Sequence, residues 1–226
     1  MMTMRNIFNY SCILILLVVV SCGKDNYDEP TATLTGRVLY NGTPVQVRGT
    51  GEAVQLFLFQ DGWPLRKEIP VYVGQDGTFS AKLFNGEYKM VTRDNNGPWV
   101  NSRDTLTFTL EGRASVDLTV TPYFTLSGEN ISLSGTTMNA SFTINRIVPD
   151  IKLQRVYLVL SKTQFVDEVN NVFRRDISDV EVGQVNLTAN FSDNNDVQKA
   201  TILYGRIGVK AEVTEQAIWS PVVKLR

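Results

Sequence analysis

Beyond residue 31 the chain is written almost entirely in short alternating runs of apolar and polar residues, closed by Gly, Asn, Asp and Pro. Alternation with a period of two is the pattern of half-buried strands, and helical periodicity is nearly absent, so the pattern predicts an all-β protein. Residues 34–40 put Leu34, Gly36, Val38 and Tyr40 on one face and turn at Asn41-Gly42, a hairpin signal because both residues tolerate positive φ. Residues 54–59 end at Asp61-Gly62, 69–73 at Gln75-Asp76-Gly77 and 78–83 at Asn85-Gly86. The runs 88–93, 105–110 and 115–120 complete about seven strands of a first β-sandwich. In a sandwich of up-and-down strands each strand carries the chain to the opposite end.

Pro122 restricts Thr121 and interrupts this pattern, which places a domain boundary there, with one domain over 32–121 and a second over 122–226. Strand-like runs resume at 131–133, 138–144 and 153–161, around 181–191, and at 200–213 and 218–225. Residues 164–176 fit neither strand nor helix and are expected to form a long connection. Asp193, Asn195 and Asp196 offer oxygen ligands in 193–196, but the glycine and bidentate glutamate of a calcium loop are lacking. A plain Asx-rich turn is the favoured reading, and no metal or other cofactor is expected.

Residues 1–21 differ in kind. Arg5 is the one charge ahead of an apolar run, 13–20, too short to span a bilayer and shaped like a signal-peptide core. Its end, Val19-Val20-Ser21-Cys22, resembles a bacterial lipobox, which implies a lipoprotein signal over 1–21, acylation of Cys22 and a polar tether over 22–31. Asp25, Asp28 and Glu29 resemble the export signal of Bacteroides-type surface lipoproteins, so the expected location is the outer membrane, lipid-anchored and facing outward.

Composition then excludes chemistry. There is no histidine, and of two cysteines one is expected to leave with the signal and the other to carry lipid, so histidine-based triads, imidazole general bases and common zinc sites are ruled out. A formal charge of −1, with no basic run, excludes nucleic acid as a partner. Asp167-Glu168 and the pair Glu212 and Glu215 are carboxylates close in sequence, but no flanking motif marks either as catalytic, and no enzyme activity is expected. The N-x-S/T triplets at Asn130, Asn139 and Asn186 read as strand-edge polar residues rather than modification sites.

Leu34-Thr-Gly-Arg-Val, Asn41-Gly-Thr-Pro-Val, residues 76–88 and Val116-Asp-Leu-Thr-Val together resemble the carboxypeptidase-regulatory-like, or transthyretin-like, sandwich. The stretch 203–212 and Trp219-Ser-Pro-Val-Val resemble the last strands of a fibronectin type III, Ig-like sandwich. The full order is similar to one family of surface lipoproteins of unknown function, encoded beside outer-membrane glycan importers. That resemblance implies two tandem β-sandwiches and a non-catalytic accessory role: binding polysaccharide, or docking to a transporter or adhesin-like assembly.

Three tryptophans are the ligand candidates, because sugar rings pack C–H faces on aromatic planes while amides and charges bond their hydroxyls. Trp99 stands among Asn95, Asn96, Asn101 and Arg103, and Trp63 beside Gln60, Asp61 and Arg66, so both are read as glycan contacts; Trp219, in a strand, reads as core. For Trp99 a buried or half-buried structural role is the favoured reading. Two strands separate its loop from the exit at Thr121, so it shares an end with the second domain, and Pro122, Tyr123 and Phe124 would pack on it as an interdomain contact.

Overall fold

The computed structural model describes residues 28–62 and 67–226. The segment 1–21, Cys22 and Trp63 lie outside the described residues, so the readings placed on them are not addressed. Asp28, Glu29 and Pro30 are exposed coil, and residues 31–226 form one compact unit of two β-sandwiches.

In the first sandwich, β1 (Ala32–Tyr40) is flanked by β8 (Arg113–Thr119) on one side and by β5 (Thr78–Leu83) and the two-residue β2 (Thr43–Pro44) on the other. The facing sheet runs β4 (Ile69–Tyr72), β3 (Gln55–Gln60), β6 (Gly86–Thr92), β7 (Leu106–Leu110). Leu34, Val38, Leu56, Leu58, Met90 and Leu110 are wholly buried between them. The set is not simply up-and-down, because β8 crosses from the sheet of β7 and lies parallel to β1. The crossing changes the neighbour and not the count of reversals, so the Trp99 loop still ends beside the chain exit.

The second sandwich sets β13 (Gly183–Asn190), β10 (Thr137–Arg146) and β9 (Phe124–Ser134) against β12 (Phe173–Ile177), β11 (Leu153–Ser161), β14 (Tyr204–Ala211), β15 (Ala217–Trp219) and β16 (Val223–Lys224). Three expectations are corrected. β9 begins at Phe124 rather than near residue 131, because Phe124 pairs with Arg146 and buries its ring. The supposed connection 164–176 contains β12, whose charges Arg174, Arg175 and Asp176 face solvent at a sheet edge and mask any alternation. Within 193–196 lies the start of a one-turn helix, α1 (Asn195–Gln198), capped by Asn194 Oδ1 accepting from Val197 N at 3.1 Å.

One apolar cluster runs through both sandwiches and joins Val47 and Trp99 to Phe124 and Ile207. A satellite cluster of Tyr157, Val159, Val166 and Trp219 forms where residues 162–172 fold over the outer face of β11. β11 is therefore buried on both faces through residues 156–161.

Candidate functional site

Trp99 retains 2% of its surface, and a ring needs an open face to carry a sugar, so the platform reading of Trp99 is corrected. Trp99 bridges Pro122, Val100 N donates to Thr121 O at 2.9 Å, and Tyr123 N donates to Pro98 O at 3.0 Å. The indole lies over Gly97, where a Cβ would stand 2.1 Å from its Cε2. From the second sandwich, Thr214 Oγ1 donates to Gly97 O at 2.8 Å. Of the sequence-derived partners, Pro122 and Phe124 are buried and Tyr123 is half-buried.

The polar neighbours hold the loop itself. Asn95 N donates to Asn101 Oδ1 at 2.8 Å, and Asn101 Nδ2 returns a bond to Asn95 Oδ1 at 2.9 Å. Asn96 accepts from Gln55 N at 2.6 Å and donates to Ala53 O at 2.8 Å, and Arg103 pairs with Asp94 at 3.0 Å. The asparagine bonds that close the loop also seat Trp99.

The junction continues through Arg206. Fully buried, it donates through Nε to Ser220 O at 2.7 Å, through Nη1 to Val47 O at 3.0 Å and through Nη2 to Gln75 O at 2.9 Å, so one guanidinium binds backbone of both sandwiches. Burial pushes its pKa down to about 10, with Asp167 and Glu168 opposing, and it stays charged near neutral pH. Its plane lies 5.3 Å over the Trp219 ring, which stacks on Tyr157, with Arg174 over Tyr157 in turn. Trp219 is thus core, as its strand position predicts. Asp167 accepts from Thr50 Oγ1 at 2.5 Å and from the backbone of Val169 and Asn170; Glu168 pairs with Arg48 at 3.3 Å. These neighbouring carboxylates link the two sandwiches.

An open polar surface stands instead on the outer face of the β1 sheet. Register places Thr35 opposite Ser80 and Ser115, and in the next row Arg37 opposite Thr78 and Asp117. The Val73–Phe79 bridge brings Tyr72 alongside this face, and the rows line a shallow depression of about 640 Å³. Tyr72 is 39% exposed. The Glu52 carboxylate near its hydroxyl raises its pKa, and Glu52 itself sits at φ 53°. Arg37 forks onto Asp117 with bonds of 3.0 and 2.6 Å, which hold the Asp117 carboxyl below the usual carboxylate range. An aromatic edge, a row of hydroxyls and a paired fork of donors and acceptors are the functional groups that bind a polyhydroxylated ring. Sequence reasoning passed over this face, although the outward positions of three strands carried it.

Residues 32–121 match the N-terminal domain of a family described as protein of unknown function (DUF3823), and residues 124–224 match its C-terminal domain, DUF3823_C, of unknown function. A DUF3823 family protein of solved structure from Parabacteroides merdae is 57% identical with a TM-score of 0.85, over 88% of this chain and 100% of that one. One from Bacteroides ovatus is 33% identical with a TM-score of 0.78, over 86% and 98%. A Bacteroides uniformis protein, named as a candidate carbohydrate binding protein, is 18% identical with a TM-score of 0.73, over 87% and 99%, a likeness of fold. No curated protein matches the chain. With both domains matched and close relatives spanning the two sandwiches, the chain belongs to the DUF3823 family.

Proposed function

We propose that the protein is a non-catalytic carbohydrate-binding lipoprotein, anchored to the outer membrane through Cys22 and accessory to polysaccharide import. The observation that carries the reading is the exposed Tyr72 set beside the Thr35, Ser80 and Ser115 row and the Arg37–Asp117 fork. Tethering such a face at the cell surface raises the local concentration of captured glycan, so weak contacts suffice. The fold relative named for carbohydrate binding supports the ligand class. The engagement of Asp167 and Glu168 in holding the junction supports the absence of catalysis.

The test is a glycan array on the full chain, followed by titration of any hit. Tyr72→Ala should weaken binding about tenfold or more, the loss of roughly 1.4 kcal/mol, without lowering the melting temperature. Unchanged affinity would remove this face from the reading. Cys22→Ala should release the protein from membranes, and retention would overturn the anchor.

A second reading, docking to a transporter or other protein, is favoured by Phe165, 51% exposed, and Val169, 63% exposed, on one loop. Under it, Phe165→Ser with Val169→Ser should abolish co-purification of a membrane partner and leave glycan binding intact.

A further inference from the structure

We infer that the outer face of the β9–β10–β13 sheet is a second carbohydrate surface, suited to a neutral polysaccharide chain. Its ligand class follows the function proposed above, but its surface is separate. Register aligns Asn130, Ser141 and Asn186 in one row and Ser132, Asn139 and Thr188 in the next. These six residues are the three N-x-S/T triplets. Each triplet is one out-in-out step of a strand, with Ile131, Ala140 and Leu187 facing inward; two of the three lie on the sheet's edge strands β9 and β13, and the third lies on the central β10. The flanking rows add only Ser, Thr, Asn and Gln, and Glu129 stands apart in the β9 bulge.

Two features set this face apart from ordinary solvated surface. A surface built for solubility carries about 25–35% charged residues, yet these rows contain none. Asparagine is also a poor strand former, because its amide competes for the backbone, and Asn130, Asn139, Asn186 and Asn190 all sit within paired strands. Two of these amides serve the fold, since Thr188 Oγ1 donates to Asn139 Oδ1 at 3.2 Å and Asn190 Nδ2 donates to Thr137 Oγ1 at 3.5 Å. Among the described residues, Asn130 and Asn186 make no side-chain hydrogen bond, and with Ser141 between them they line a trough of about 220 Å³.

An uncharged array of amides and hydroxyls matches a neutral hydroxyl-rich polymer. It offers donors and acceptors along two rows and requires no charge to be desolvated. An acidic polymer would find no cation within the rows, the nearest being Arg175 at the rim, where Nη1 donates to Thr188 O at 3.2 Å. A second protein copy would find no apolar centre on which to build an interface.

The experiment is native electrophoresis of the full chain in mild detergent through gels containing a neutral mannan, galactan or glucan, with an acidic pectin for comparison. The double variant Asn139→Lys with Ser141→Glu keeps the net charge, so its mobility in a blank gel stays that of the parent. In a neutral gel that retards the parent, the variant should lose at least about tenfold in affinity. Parental retardation of the variant, retardation by pectin alone, or a parental dimer that the variant dissolves would each overturn the inference. The two surfaces separate cleanly: loss in Tyr72→Ala alone removes this face, loss in the double variant alone removes the Tyr72 face, and no retardation of the parent removes both.

Discussion

Trp99 has an indole N–H with no hydrogen-bond partner, although its rings are sealed against the domain junction. Its contribution is therefore packing, and two substitutions should separate the parts. Trp99→Ala should cost about 3–5 kcal/mol in urea unfolding, whereas Trp99→Phe, which keeps much of the ring and removes the unpaired donor, should cost roughly 1–2. Equal losses would assign the N–H a role. Glu168 makes a pH prediction. Burial raises its carboxyl pKa, Asp167 adds to the rise and Arg48 opposes it, and Oε2 has no partner. The folded form thus holds a proton more tightly than the unfolded chain. The stability it contributes is fully present below the ordinary value of 4.5 and is lost as pH rises through the raised folded value. Glu168→Gln, which cannot ionise, should melt above the parent near pH 7, and the gap should close towards pH 4.5. A gap that widened on acidification would reverse the assignment.

At the level of elements, two glycines make the tryptophan contacts possible. Gly97 lies under Trp99, and Gly208 faces Trp219 across the β14–β15 pair, where a Cβ would meet the indole at 2.8 Å. Ala at either position should cost roughly 1–3 kcal/mol through overpacking, read as a lowered melting temperature. Gly97→Ala should also quench or shift Trp99 emission by pushing the ring towards water; a neutral result would mean that the loop yields freely. Strand ends were legible wherever turn residues marked them, as at Asn41-Gly42 and Gly77, which adopt positive φ. β12 was not legible, because a charged edge strand is held by its neighbour β11 rather than by its own pattern.

For the whole molecule, the shared apolar cluster and the Arg206 clamp join the two sandwiches and should couple their unfolding. Calorimetry of the full chain should show a single transition. Arg206→Ala strands the carbonyls of Val47 and Ser220, removes one of two donors from that of Gln75, and should cost about 3–5 kcal/mol, splitting or broadening that transition. Arg206→Lys should not restore it, since an ammonium cannot fork to three carbonyls on two domains. A variant that melts as one sharp transition at the parental temperature would show that the apolar contacts alone couple the domains.

The local alternation of residues, with the turn chemistry between runs, was enough to determine the β class, most strand ends and the burial of Trp219. The absence of histidine likewise excluded whole reaction classes without any structure. Counting reversals placed Trp99 at the end where the chain leaves the first sandwich, because direction depends only on the number of strands crossed. What an exposed polar residue faces depends on strands far away in sequence, and only the tertiary structure decided that. Asn95 and Asn101 read as ligand groups until they closed on each other. Thr35 meets Ser80 and Ser115, and the three N-x-S/T triplets meet one another, through strand pairing that no single run of residues encodes.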